Sequence, residues 1–215
     1  ALALQHFVPA ALTRSSSQLQ QRHIGLVGLG TGALAAYGTP QHSMVFYELN
    51  PAVIRVANDY FSYLADSQAD IEIVPGDARL TLTAQLAEGS QQFDILVLDA
   101  FSSDSIPQHL LTLEAMQLYW QHLQSDGVLA VHVSNNYLDL TALLRNQASR
   151  LGLQAYFVAT PAQGIQPAAQ WLLISNNQRF LQQPQLQQAI SRWPSAAKAE
   201  VVWTDQHSNL LQVLK

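Results

Sequence analysis

The chain has 215 residues, 48% of them apolar, a formal net charge of −5 and no cysteine. That length suits one well-buried domain better than two, and the missing cysteine excludes disulfides, thiolate nucleophiles and cysteine-held zinc. An acidic balance with only two lysines argues against gripping a nucleic acid backbone, which calls for a basic stripe, and no run approaches the roughly 20 apolar residues of a membrane span.

In chain order, residues 1–21, with the run SSSQLQQ, read as a peripheral helix and polar linker, and 22–215 as the folded domain. The opening ALALQHFVPAALTR lacks the charged start of a secretory signal. Strand and helix patterns then alternate. Strands are expected near 24–28, 43–48, 71–75, 94–99, 127–133, 154–159 and 170–175, with helices near 32–37, 51–60, 78–86, 109–123 and 138–150. Such alternation predicts an α/β fold, a Rossmann-like, mostly parallel seven-stranded sheet with helices on both faces. Pro51 after Asn50 marks a helix start, Gly76 breaks the chain after IEIV, and Ser125, Asp126 and Gly127 read as a turn between helix and strand. The Gln-rich RFLQQPQLQQAISRW reads as a surface helix broken at Pro184.

The run IGLVGLGTGALAAYG carries Gly28, Gly30 and Gly32 between a buried strand and a small-residue helix, so a ligand can lie against bare backbone. About twenty residues on, SMVFYELNP ends a strand at Glu48, whose carboxylate can take the two hydroxyls of a ribose. The same glycines also satisfy the G-x-G-x-x-G/A pattern of nicotinamide dinucleotide sites, and a tight turn alone would need some of them. Ligands of an open parallel sheet bind beyond the carboxyl ends of the strands, and acids stand there repeatedly: Glu48, Asp77 in PGDAR, Asp99 in FDILVLDAF and Asp104 in SSDSIP. Asp77 reads either as a helix cap or, with Ala78, as a contact for an adenine amino group. His109 reads as a solvated first-turn residue or as an acid or base at the cleft edge, and His132 as a core or sheet-face residue. Asn135, Asn136 and Tyr137 can line an acceptor side or form a turn, and Asp205 in WTDQHSN reads as a lid or a structural contact.

The order GLGTG, YELNP, GDAR, LDAFSSDSIPQHLLTLEA, DGVLAVHVSNNYLDL and WTDQHSNLL resembles the spermidine synthase-like domain of bacteria, often fused to membrane segments. This is a relative of the polyamine aminopropyltransferases, with the class I S-adenosylmethionine-dependent methyltransferase fold. The resemblance covers roughly residues 22–215, and DAFSSDSIP and SNNYLDL are its most diagnostic blocks. It implies that Gly28, Gly30, Thr31 and Gly32 pass under the methionine-derived part of the nucleoside, that Glu48 holds the ribose and that Asp77 with Ala78 holds the adenine. Asp99 matches the acid beside the attacking amine, Asp104 the second acid, which orients the cation, and Tyr137 lines the acceptor side. The co-substrate implied is S-adenosylmethionine or its decarboxylated form, with no metal. The implied partner is a small-molecule amine or polyamine and not a nucleic acid, in a cytoplasmic homodimer that a membrane segment outside this chain can hold at the membrane.

The sequence departs from that pattern in three places. Thr31 stands where the glycine loop of spermidine synthases has an aspartate that contacts the amino end of decarboxylated S-adenosylmethionine. Asp99 and Asp104 are five apart rather than three. An amino-terminal β-domain closing over the polyamine has no counterpart in the first 22 residues. The expected activity is aminopropyl transfer to an amine with release of methylthioadenosine. The alternatives are methyl transfer, attack within the sulfonium nucleoside itself, or a non-catalytic nucleoside-binding module.

Overall fold

The computed structural model describes residues 21–100, 107–162, 164, 168–194 and 201–215. Seven strands, β1 (Arg22–Val27), β2 (His42–Glu48), β3 (Asp70–Pro75), β4 (Phe93–Leu98), β5 (Leu123–His132), β6 (Ala155–Thr160) and β7 (Ala169–Ile174), form one sheet in the order β3-β2-β1-β4-β5-β7-β6. β1 to β5 pair in parallel, and β7 runs antiparallel to both of its neighbours.

The central strands are apolar on both faces, as a sheet covered by helices on both sides requires. Side chains alternate between two cores. Ile24, Leu26, Met44, Phe46, Ile95 and Val97 pack on one face, while Val27, Val45, Tyr47, Leu96 and Leu98 pack on the other. Helix α1 (Pro51–Tyr60) belongs to the first face through Ala57. Helices α2 (Ala78–Glu88), α3 (Leu113–His122) and α4 (Thr141–Arg150) cover the second through Leu82, Ala115, Met116, Leu143 and Leu144. Burying one such leucine is worth about 2 kcal/mol, and the alternation requires both helical layers.

The helix starts follow local chemistry. The Asn50 side chain accepts from the Ala52 N–H ahead of α1, with Pro51 in the first turn, and Asp77 accepts from the Leu80 N–H ahead of α2.

Three expectations need correction. The segment at Ala33–Tyr37 is 3-10 rather than a full α-helix. The single helix expected over 109–123 is split into a 3-10 turn at Gln108–Leu110 and α3, because the Thr112 side chain caps the latter by accepting from the Ala115 N–H. Ser125 to Gly127 lie inside β5, where Phe93 pairs with Leu123 and Ile95 with Val128, so four residues of β5 bulge opposite Asp94. The Gln-rich tail is parted at Pro184 as expected, into two short surface helices, α5 (Gln178–Leu181) and α6 (Pro184–Ala189), whose Phe180, Leu181 and Leu186 turn into the core. Among the described residues no helix is long and apolar enough to cross a membrane.

Candidate nucleoside site

The strand order turns back between β1 and β4, and in an open α/β sheet that switch point opens a crevice at the carboxyl ends of the strands. A cavity of about 350 Å³ lies there, bordered by Gly28, Gly30, Glu48, Asp77, Ala78 and Asp99 among others, within the range of small-molecule sites.

The floor is bare backbone. Gly28 has φ 95°, a region that strains any side-chain-bearing residue, and a Cβ there would lie 2.6 Å from the Asp99 carbonyl oxygen. Its N–H donates to the Tyr47 carbonyl at 2.8 Å, while Asp99 N–H donates to the Val27 carbonyl at 2.9 Å. Gly30, at φ 55°, has open space where a Cβ would point. Gly32 is not on the cavity wall: it is buried, with φ 77°, and its missing Cβ makes room for Leu64. Thr31 is exposed and, with Gly30, Ala52, Val53 and Val56, borders a second hollow alongside the first.

Glu48 is held from both sides. One carboxylate oxygen accepts from the Leu29 N–H at 3.0 Å and the other from the Asn50 N–H at 2.8 Å, which leaves further lone pairs for hydroxyl donors. Tyr47, also on the wall, donates its phenol to Gln85 at 2.8 Å, and burial pushes its pKa up to about 12.

The cap reading of Asp77 holds for one oxygen of its carboxylate, and the other meets a histidine. Oδ1 accepts from the Leu80 N–H at 3.0 Å as a cap, while Oδ2 lies 2.9 Å from His109 Nε2 on the cavity wall. Burial alone would raise this carboxyl, but the Leu80 N–H and the hydrogen bond and charge of His109 together hold it below its ordinary value. His109 is thus tied to the cavity wall through Asp77, with its side chain still half exposed.

That wall is braced from behind. Arg79 donates to the His109 carbonyl at 2.8 Å and makes a two-pronged ion pair with Asp205, which also accepts from the Thr112 hydroxyl at 2.7 Å. Asp205 is therefore a structural contact. Its backbone N–H donates to Glu114 at 3.0 Å, and the neighbouring Trp203 is fully buried.

Asp99 has a partner that sequence reasoning did not assign. Its Oδ1 lies 2.7 Å from His132 Nδ1, and His132 Nε2 lies 2.7 Å from the Ser134 Oγ. Leu98 pairs with Val131, so the next residues of two parallel strands, Asp99 and His132, stand side by side. His132 is a sheet-face residue, stacked on Trp171 with centroids 4.7 Å apart, yet it faces the acid of the site. That register comes from the folded sheet, and no local signal in the sequence carries it.

Asp104 falls outside the described residues. Tyr137 is 64% exposed and is not on the cavity wall, while Asn135 accepts from the Tyr137 and Leu138 N–H groups as a turn former. Among the described residues no group of three or more His, Cys, Asp or Glu is arranged to hold a metal ion.

A sheet of this order, with a glycine turn after β1 and an acid closing β2, is the class I S-adenosylmethionine-dependent methyltransferase fold. Solved structures of that class superpose on it: human methyltransferase-like protein 13 in complex with SAH has a TM-score of 0.66 at 19% identity, covering 87% of each chain. A probable spermidine synthase from Corynebacterium glutamicum has a TM-score of 0.61 at 17% identity, covering 80% of this chain and 61% of its own. By sequence the chain is similar to the polyamine aminopropyltransferase of Vibrio vulnificus, at 33% identity over 110 residues. That match takes in 50% of this chain and only 36% of the relative's length. No family model matches.

Proposed function

We propose that the chain is a transferase that binds S-adenosylmethionine or its decarboxylated form and passes an aminopropyl-type group to a small amine or polyamine, with release of methylthioadenosine. The observation that carries this reading is the wall of three carboxylates, Glu48, Asp77 and Asp99, spread along one cavity over a bare glycine floor. No lysine or arginine borders that cavity among the described residues. Such a wall favours a cationic sulfonium and a cationic amine over an anionic ligand.

In this reading Glu48 holds the ribose hydroxyls, and Asp77 with Ala78 receives the adenine, whose amino group competes with His109 for Asp77 Oδ2. Gly28 and Gly30 let the sulfonium chain approach the backbone, with Thr31 and Gly32 shaping the turn beyond. Asp99 takes the acceptor. An alkylamine is mostly protonated near neutral pH, with a reference pKa of about 10, so the carboxylate first binds the ammonium and then helps to remove a proton. The freed nitrogen lone pair attacks the carbon next to sulfur, the C–S bond breaks and its electron pair stays on sulfur. Methylthioadenosine leaves as a neutral thioether, and the amine proton passes through Asp99 to solvent. Since the leaving group needs no protonation, alignment of amine, carbon and sulfur is the main task of the protein. Asp104 and Tyr137 are assigned to the acceptor on the resemblance alone.

The test is mass spectrometry of the products after incubation with either nucleoside, with and without a panel of polyamines. Methylthioadenosine together with an aminopropylated amine is the expected result. Methylthioadenosine without an acceptor product would replace the reading by intramolecular cleavage, a methylated product by methyl transfer, and intact bound nucleoside by a binding module.

A further inference from the structure

We propose that His132 is the positioning residue of the acceptor-side acid, holding Asp99 from the side away from the cavity. This rests on the reaction proposed above, in which Asp99 takes the amine. Asp99 borders the cavity, whereas His132 and Ser134 do not. His132 Nδ1 engages Oδ1 at 2.7 Å, which leaves Oδ2 as the oxygen for the amine. The imidazole is itself fixed in two ways, against a buried partner. Nε2 meets Ser134 Oγ at 2.7 Å, the ring stacks on Trp171 at 4.7 Å and 21°, and Trp171 is 2% exposed. Ser134 is in turn fixed by the backbone, its Oγ accepting from the Gln170 N–H at 2.8 Å.

The arrangement from Ser134 through His132 to Asp99 has the connectivity of a nucleophilic triad, but its orientation towards the cavity is reversed. The acid borders the ligand space and the serine lies behind, so the serine serves as the anchor and the acid as the working group. With Nδ1–H donating to Asp99, Nε2 accepts from the Ser134 hydroxyl, which gives both ring nitrogens a partner. A carboxylate tethered at one oxygen cannot swing with an arriving amine. That restraint matters because small misplacements of a reacting group can cost about a hundredfold in rate.

The test compares His132→Ala, His132→Asn and His132→Gln by steady-state kinetics, with nucleoside binding by calorimetry as the check on folding. Asn can present an N–H near the position of Nδ1, whereas Gln places its amide towards Nε2 and cannot reach Asp99. The expected result is a kcat lowered roughly tenfold to a hundredfold in His132→Ala and His132→Gln, mostly restored in His132→Asn, with nucleoside affinity unchanged in all three. A residue that only filled space against Trp171 would give Asn no advantage over Gln, and equal rates for the two would overturn the proposal. So would an unaltered kcat in His132→Ala. A wild-type protein that forms no aminopropylated product with any amine would instead remove the underlying reaction, an outcome the unmutated enzyme reveals by itself.

Discussion

Gly28 and Asp99 touch through their backbones across the β1–β4 switch point, so closely that a Cβ on Gly28 would sit 2.6 Å from the Asp99 carbonyl oxygen. In the proposed function, the glycine that would lie under the nucleoside is thus also the seat of the acid assigned to the acceptor. Gly28→Ala must strain a φ of 95° and push Asp99 aside, at a cost of about 2 kcal/mol or more. The expected outcome is a lower melting temperature together with lost nucleoside binding, read by calorimetry. Gly30→Ala meets no protein atom within 4 Å and should lose binding with the smaller stability cost of its φ alone.

Glu48→Gln keeps the size of the side chain but replaces one carboxylate oxygen by a donor, facing either the Leu29 or the Asn50 N–H. Hydrogen bonds to a charged group are worth about 1.5–3 kcal/mol, so nucleoside affinity should fall on the order of tenfold to a hundredfold. Titration of methylthioadenosine into the variant measures this, and an unchanged affinity would remove Glu48 from the ribose.

Asp77 links binding to acid stability. Its folded-state pKa is depressed by the Leu80 N–H and by His109 against the opposing effect of burial. The contribution it makes is therefore complete above its ordinary pKa, about pH 4, and is lost as pH falls through the lower folded value. Asp77→Ala should cost about 1 kcal/mol near neutral pH through the lost cap, and the difference from wild type should vanish in strong acid. Denaturant unfolding across that range checks the sign.

Two ion pairs separate scaffold from site. Arg22 and Asp94, with side chains only 9% and 10% exposed, meet at 2.9 Å at the start of the sheet, and Asp94 also accepts from the His23 N–H. Breaking a buried pair leaves an uncompensated charge, so Asp94→Ala should destabilise by about 3 kcal/mol without altering nucleoside specificity. Arg79→Met removes the Asp205 pair, which is part-exposed, and should cost nearer 1 kcal/mol. It should also loosen His109 and speed proteolysis in the segment around Trp203 and Asp205.

The sheet was readable because parallel strands buried on both faces leave uninterrupted apolar runs such as ILVL before Asp99. Glu48 and Asp99 stood out because each follows such a run, and Asp77 because it follows the break at Pro75 and Gly76. What stayed hidden depends on neighbours far away in the chain. His132 looked like one more sheet residue, since only the pairing of Leu98 with Val131 sets it beside Asp99. The link of Asp77 to His109 arises because Arg79 and Asp205, 126 positions apart, brace the loop that carries the histidine. The break in the helix expected over 109–123 had a local signal in Thr112, whose hydroxyl favours a cap over a helix interior.

The most direct test of the account is Asp99→Asn, examined for both nucleoside binding and turnover with the amine that the product survey identifies. Asparagine preserves shape but can neither carry the charge that binds an ammonium nor accept its proton. The account predicts nucleoside affinity close to that of wild type and turnover lower by about a hundredfold or more. Turnover equal to wild type, with the variant folded and binding nucleoside, would contradict it.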